Sequence, residues 1–88
     1  MKRQFSDQAW EDYLYWAEVD GKTHQRLNDL IKECCRTPFK GIGKPEPLKG
    51  DMQGWWSRRI TQDDRLVYRV SGKGKDQLLE IAQCRLHY

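Results

Sequence analysis

The sequence predicts an α+β protein with the element order β-α-α-β-β-β. Two apolar patterns with helical spacing occupy the first half, and three runs rich in β-branched and aromatic residues occupy the second. A stretch containing prolines and glycines separates them. A length of 88 residues suffices for one small core, so residues 1–88 are expected to form a single domain.

The N-terminal residues predict a short strand followed by a helix. Lys2–Phe5 fits an edge strand, Ser6 fits a helix N-cap, and Asp7 places an acid in the first turn. Asp20-Gly21 is predicted to end this helix, which therefore spans about 7–19. Four residues at i, i+3, i+4 and i+7 are expected to form its apolar stripe: Trp10, Tyr13, Leu14 and Ala17.

A second helix is predicted over about 22–36. It ends at Thr37-Pro38, because the residue before a proline avoids helical backbone angles. The same helical spacing is repeated by Leu27, Leu30, Ile31 and Cys34. Two such helices with a short connection form an antiparallel hairpin, whose shared apolar side needs a sheet to cover.

The second half predicts an antiparallel meander. Its three strands are expected at 55–61, 65–70 and 78–88. In the middle strand Leu66, Tyr68 and Val70 should face the helices, whereas Arg65, Val67 and Arg69 should face away. Residues 40–50, with two prolines and three glycines, are expected to form an ordered loop.

Charge and composition narrow the class of protein. The net charge is +3, but residues 34–88 carry eleven basic and six acidic side chains, an excess of five positive charges that favours a polyanionic partner. The sequence lacks a long apolar run and a signal-like start, so no membrane association and a cytoplasmic location are expected. Three cysteines, two of them adjacent, argue against a disulfide framework.

Two titratable side chains are candidates for acid–base chemistry. Glu46 lies between two prolines, which restrict the backbone and so aim the carboxylate; a solvated turn acid is the simpler alternative. His87 carries an imidazole able to give and take a proton near neutral pH, with a frayed C-terminal tail as its alternative. His24 is interpreted as a partly buried structural residue. A zinc site at Cys84-x-x-His87 is improbable, because positions three apart on a strand face opposite sides.

The predicted meander also carries several arginines. A guanidinium group matches phosphate oxygens, so a cluster on one sheet face would form a cradle for a phosphodiester; a charged soluble surface is the alternative. The candidates are Arg58, Arg59, Arg65 and Arg69. Trp55 and Trp56 offer only weak support for stacking on bases, because adjacent strand residues face opposite ways.

Considered together, these residues match the requirements of metal-free RNA cleavage. That reaction needs a base for the 2′-hydroxyl, cations for the phosphate and an acid for the leaving oxygen. A noncatalytic protein that blocks an RNA or decoding surface is the rival hypothesis. A third is an inactive protein that serves mainly as a binding partner and co-repressor.

The chain closely resembles the YoeB toxins of the RelE superfamily, ribosome-dependent mRNA interferases of bacterial type II toxin–antitoxin modules. The resemblance is carried by W-E-D-Y-L-Y-W at 10–16, R-T-P-F-x-G-x-G-K-P-E-P-L-K at 36–49, G-W-W-S-R-R-I at 54–60, R-L-V-Y at 65–68 and C-R-L-H-Y at 84–88. The fold that it implies has two helices packed on an antiparallel sheet.

The resemblance also implies a role for each matched site residue. It makes Glu46 the general base, His87 the general acid and Arg65 the main stabiliser of the transition-state phosphate. Lys49 and Arg59 become supporting cations, and Tyr88 positions the mRNA. The implied reaction is 2′-hydroxyl attack in the ribosomal A site, giving a 2′,3′-cyclic phosphate and a 5′-hydroxyl end without metal or cofactor.

The implied partners are the ribosome with its mRNA and a YefM-like antitoxin whose C-terminal segment covers the active site. Toxin homodimers and operator DNA binding by the toxin–antitoxin complex are implied as well. Two features depart from the family pattern, namely a longer and more basic loop at Ser71–Gln77 and the adjacent Cys34 and Cys35. Neither includes a matched site residue.

Overall fold

The computed structural model describes residues 1–86, in which two helices pack on a five-stranded sheet. The helices are α1 (Asp7–Val19) and α2 (Gly21–Arg36). The strands are β1 (Lys2–Phe5), β2 (Glu46–Pro47), β3 (Trp56–Arg59), β4 (Arg65–Ser71) and β5 (Leu78–Gln83). Single turns of 3₁₀ helix occupy Gly50–Met52 and Gly74–Asp76. The α+β prediction is confirmed.

The sheet has the strand order β1-β5-β4-β3-β2 and is mostly antiparallel. β1 is the exception, because it runs parallel to β5, with Lys2 opposite Leu78 and Phe5 opposite Ile81. A parallel pair needs a long crossover connection, which the helices and the remaining strands supply here. The first strand therefore lies at one edge of the sheet and the short β2 lies at the other.

The two helices are separated by a single residue. Ser6 caps α1 by accepting a hydrogen bond from the Ala9 amide at 3.0 Å. Asp20 follows α1 and also caps α2, because its carboxylate accepts from the Thr23 amide and from the Thr23 hydroxyl. These bonds hold the pKa of Asp20 below its usual value. The helix predicted from residue 22 consequently starts one residue earlier, at Gly21.

The apolar stripe predicted for α1 is wrong, whereas the one for α2 is confirmed. Trp10 and Leu14 are 47% and 44% exposed, and α1 instead buries Ala9, Asp12 and Trp16. Trp10 stacks on Tyr13 at the edge of the hairpin, with ring centroids 5.6 Å apart. The four residues predicted for α2 are all buried: Leu27, Leu30, Ile31 and Cys34. They pack against Leu66, Tyr68, Leu79 and Ile81 of the sheet.

Two segments differ from the sequence prediction. Residues 40–50 contain β2, so this stretch is partly a sheet edge rather than a loop throughout. The strand predicted over 78–88 ends at Gln83, because the backbone of Cys84 turns to bond with α1. No helix within residues 1–86 is both long enough and apolar enough to cross a bilayer.

Candidate functional site

The sheet face turned away from the helices, here called the open face, carries the candidate site. In β3 and β4 the register pairs Ser57 with Val67 and Arg59 with Arg65, so these four side chains share that face. Ser57 and Val67 are buried and form its floor. The predicted alternation of β4 therefore holds: Leu66 and Tyr68 are buried on the helix side, and Val67 is buried on the open face.

Glu46 reaches the open face through β2. It pairs with Ser57 across the antiparallel β2–β3 ladder, and its side chain is exposed. Directly paired residues share a face, so the Glu46 carboxylate lies above the same floor as Arg59 and Arg65. Arg59 is its diagonal neighbour, a relation that typically separates Cβ atoms by about 7–8 Å. The structure thus gives the acid of the proline-rich segment a defined place on the sheet.

Arg59 and Arg65 form an unneutralised pair of cations. They lie directly opposite each other, an arrangement that is unfavourable for like charges and that a bound anion relieves. Arg65 donates through Nη1 to the carbonyl oxygens of Thr61, Gln62 and Asp64 at 2.9–3.1 Å. Within residues 1–86 neither guanidinium pairs with a carboxylate, and Nε and Nη2 of Arg65 have no partner there.

Lys49 follows β2 by two residues. It is exposed and directly precedes the 3₁₀ turn at Gly50–Met52. The preceding residue, Leu48, is buried and donates its amide to the Trp55 carbonyl at 2.9 Å, which extends the contact between the two segments. In the part of the chain that the structure describes, the Lys49 ammonium has no side-chain partner.

Two of the four arginines proposed as a phosphate cradle do not belong to it. Arg58 is 0% exposed and faces the helices. Arg69 lies on the open face, but it forms two hydrogen bonds with the Glu80 carboxylate at 3.0 and 3.1 Å and covers the Trp55 ring. These bonds lower the pKa of Glu80 and raise that of Arg69. Of these four arginines, only Arg59 and Arg65 lie on the open face without a carboxylate partner among residues 1–86.

Arg58 instead positions the segment that leads to Glu46. Its guanidinium donates to the carbonyl oxygens of Thr37, Lys40 and Ile42, and its Nε donates to the Tyr68 hydroxyl. Sequence reasoning missed this role, since Arg58 and Arg59 are adjacent and chemically identical. The alternation of β3 against its apolar neighbours Trp56 and Ile60 was the signal that could have found it.

Gly43 completes this support. Its carbonyl accepts a hydrogen bond from the Arg59 amide at 2.7 Å, and its φ is +85°. A Cβ there would lie 2.8 Å from Leu30 and 3.1 Å from Cβ of Arg58. Only glycine allows the chain to approach α2 and β3 this closely before it enters β2.

His87 and Tyr88 lie outside the described residues, but the chain that leads to them is well anchored. Helix α1 holds Cys84 from both sides: Trp16 Nε1 donates to its carbonyl at 2.8 Å, and its amide donates to Asp12 at 3.0 Å. The Arg85 guanidinium lies 3.6 Å from the centre of the Tyr15 ring. Asp12 and Trp16 were not identified from the sequence as contributors to the site.

All three cysteines are packing residues in the structure. Cys34 and Cys84 are fully buried, and burial raises the pKa of Cys34 to about 11 and that of Cys84 still further. Both thiols therefore remain protonated near neutral pH. The adjacent Cys35 is partly buried against the core.

The basic loop Ser71–Gln77 begins at the last residue of β4 and leads into β5, with a 3₁₀ turn at Gly74–Asp76. Arg65 and Ser71 are the two ends of the seven-residue β4, which at about 3.3 Å per residue separates them by roughly 20 Å. Lys73 and Lys75 are exposed. The loop therefore lies away from the Arg59–Arg65 pair.

Comparison with known proteins gives one consistent family. Residues 5–88 match the family model described as the YoeB-like toxin of a bacterial type II toxin–antitoxin system. The chain is 53% identical to Toxin YoeB of Escherichia coli K12 over the full length of both proteins. It is 56% identical to the solved YoeB/ParE toxin from Agrobacterium tumefaciens, with full coverage of both chains and a TM-score of 0.97.

Two solved structures from Staphylococcus aureus describe assemblies. The chain is 43% identical to a protomer of a YoeB dimer, with a TM-score of 0.89, covering 100% of this chain and 98% of that one. It is equally identical, with a TM-score of 0.88 and the same coverage, to the YoeB chain of a heterotetrameric YoeB–YefM toxin–antitoxin complex.

Proposed function

The chain belongs to the YoeB-like toxins of bacterial type II toxin–antitoxin systems, and from that membership we propose that it is an endoribonuclease acting on ribosome-bound mRNA. The observation that carries the proposal is the shared face of Glu46, Arg59 and Arg65. A carboxylate and two guanidinium groups above one floor supply the base and the cations that a metal-free attack on a phosphodiester requires.

In this mechanism Glu46 removes the proton of the ribose 2′-hydroxyl. The resulting oxygen attacks the adjacent phosphorus, and Arg65, assisted by Arg59 and Lys49, stabilises the charge that develops on the phosphate oxygens. His87 donates a proton to the departing 5′-oxygen. The products are a 2′,3′-cyclic phosphate and a 5′-hydroxyl end, and every proton is accounted for without a metal or cofactor.

The exposure of the site supports dependence on the ribosome. The Glu46 and Arg59 side chains are exposed on one face of the sheet. Such a surface holds a flexible RNA strand poorly. We propose that the ribosomal A site supplies the missing orientation, presenting a codon so that its 2′-hydroxyl reaches Glu46, while Tyr88 positions the mRNA.

The S. aureus assemblies support the proposed partners. We propose that the toxin forms a homodimer and binds a YefM-like antitoxin whose C-terminal segment covers the open face. A covering segment with acidic side chains would neutralise Arg59 and Arg65 and so exclude RNA. Binding to operator DNA is proposed only for the toxin–antitoxin complex.

Primer extension on a defined mRNA in a purified translation system tests the proposal. Wild-type protein is expected to create new 5′ ends at A-site codons, whereas Glu46→Gln and His87→Ala are expected to slow cleavage on the order of 100-fold or more. Glu18→Gln, an exposed helix acid of equal charge, is the matched control and should cleave as wild type.

Translation arrest with intact mRNA would contradict the proposal and support the rival hypothesis of a noncatalytic binder. That protein would use the same Arg59–Arg65 pair to hold RNA. Its inhibition would weaken steeply with salt and would not respond to removal of His87.

A further inference from the structure

Asp64 joins the turn before β4 to the C-terminal part of the chain. Its Oδ1 accepts a hydrogen bond from the Leu86 amide at 2.7 Å, and its Oδ2 accepts one from the Thr61 hydroxyl at 2.6 Å. The Leu86 carbonyl in turn accepts from the Arg65 amide at 3.1 Å. Asp64 and Arg65 therefore hydrogen-bond both the amide and the carbonyl of Leu86.

The hydrogen bond between Asp64 and Leu86 differs from a surface contact, because the Asp64 carboxylate is buried. Asp64 is only 8% exposed, and a buried carboxylate is tolerated when strong hydrogen bonds satisfy it. Leu86 has a φ of +64°, a backbone conformation that non-glycine residues rarely adopt, yet its own side chain is 59% exposed. Its backbone bonds rather than side-chain burial thus stabilise the turn at Leu86.

The segment is fixed at a second point by α1. Cys84 bonds through its carbonyl to Trp16 and through its amide to Asp12, two residues before the bond to Asp64. Two anchors this close together determine the direction in which the chain leaves Leu86. The next residue along the chain is His87, the acid of the proposed reaction.

We propose that Asp64 is a positioning residue for His87, which it aims by holding the Leu86 amide beside Arg65. This inference rests on the proposed function, because it assigns Asp64 a purpose in the same reaction. Asp64 does not touch RNA in this view. It fixes the backbone of Leu86, the residue before the acid, and it supports Arg65 through its own carbonyl, 3.0 Å from Nη1.

Single-turnover cleavage on programmed ribosomes measures this role. Asp64→Ala is expected to lower the rate at saturating protein on the order of tenfold to 100-fold, with little change in half-saturating concentration. Asp64→Asn keeps an acceptor for the Leu86 amide and should remain within about threefold of wild type. Asp63→Ala removes an exposed carboxylate one residue away and should have no effect.

A double-mutant comparison separates positioning from general damage. If Asp64 acts through His87, adding Asp64→Ala to a His87→Ala protein should not slow the residual cleavage further. A multiplicative loss would overturn the inference. If His87→Ala alone cleaved at the wild-type rate, the assignment of His87 as the acid would fail, and if the wild-type protein left the mRNA intact, the proposed function itself would fail; both results are distinguishable from a failure of this inference.

Proton NMR supplies a test that needs no activity. The chain has two histidines, so its imidazole signals are few, and His24 serves as an internal control because its ring packs against Tyr13. In wild type the His87 signals should differ from random-coil positions. Asp64→Ala should move them to those positions and leave His24 unchanged, whereas unchanged His87 signals would refute the inference.

Discussion

Arg58 and Arg59 are neighbours in the chain, yet their guanidinium groups serve opposite sides of β3. The former bonds to three backbone carbonyls and a tyrosine in the interior, and the latter stands exposed opposite Arg65. Strand alternation alone produces this division. The sequence identified an arginine-rich strand. Which arginine is buried follows from alternation with Trp56 and Ile60, which face the helices.

We expect Arg58→Met to destabilise the protein by about 3 kcal/mol, because it leaves three partly buried carbonyl groups without this donor and removes the buried bond to the Tyr68 hydroxyl. Urea unfolding followed by tryptophan fluorescence measures this loss. Arg69→Met, which removes an exposed arginine bonded to Glu80, is the matched control and should change stability little. Equal effects of the two substitutions would disprove the anchoring role of Arg58.

At the level of elements, the sequence predicted the spans of both helices, but it predicted the buried face of α2 only. Every position of the α2 stripe faces the core, because that helix is amphipathic with few competing aromatic residues. In α1 the aromatic side chains Trp10 and Tyr13 form an edge cluster with Phe5, while the polar Asp12 is buried to bond with Cys84. Apolar spacing cannot reveal a buried carboxylate whose partner lies 72 residues away.

In the candidate site, too, some features were predictable from the sequence and others were not. Residue type and the flanking prolines identified Glu46 as a candidate, and the family resemblance selected Arg65 from four arginines; both lie on one face of the sheet. The two-residue β2 that places Glu46 there could not be predicted, since two prolines flank the glutamate and strands are normally longer. Its position depends on Gly43 and on the Arg58 network, which are tertiary features.

Gly43→Ala is expected to destabilise the protein by about 2 kcal/mol and to reduce cleavage by displacing β2. Gly54→Ala provides the comparison, because Gly54 also has a positive φ, +95°, but a Cβ there would meet no atom within 4 Å. Both variants carry backbone strain, and only the first adds the clash with Leu30. Thermal unfolding and primer extension measure the stability and the cleavage of each variant. Equal losses for Gly43→Ala and Gly54→Ala would contradict the role assigned to Gly43.

For the molecule as a whole, the buried thiols set an upper limit on the pH range of stability. The folded pKa of Cys34 is about 11 and its ordinary value is 9.0, so the unfolded chain releases this proton at lower pH than the folded one. Stability is therefore fully present below pH 9 and is lost as the pH rises towards 11. The loss is about 1.4 kcal/mol per pH unit for each such group.

Urea unfolding at pH 8 and at pH 10.5 checks this dependence. We expect the free energy of unfolding to be lower at the higher pH by a few kcal/mol, since Cys84 and Tyr68 are shifted in the same direction. Cys34→Ala should reduce the difference, and Cys35→Ala should retain it. A free energy that is independent of pH in this range would show that the thiols ionise freely in the folded state.

The placement of β5 has a consequence for biosynthesis. This strand lies between β1 and β4 in the sheet, although it follows both in the chain. A nascent polypeptide that has exposed only β1 to β4 therefore lacks the strand that pairs with both β1 and β4, and Cys84 cannot yet dock on α1. The sheet that carries the proposed site therefore cannot be completed before β5 has emerged from the ribosome.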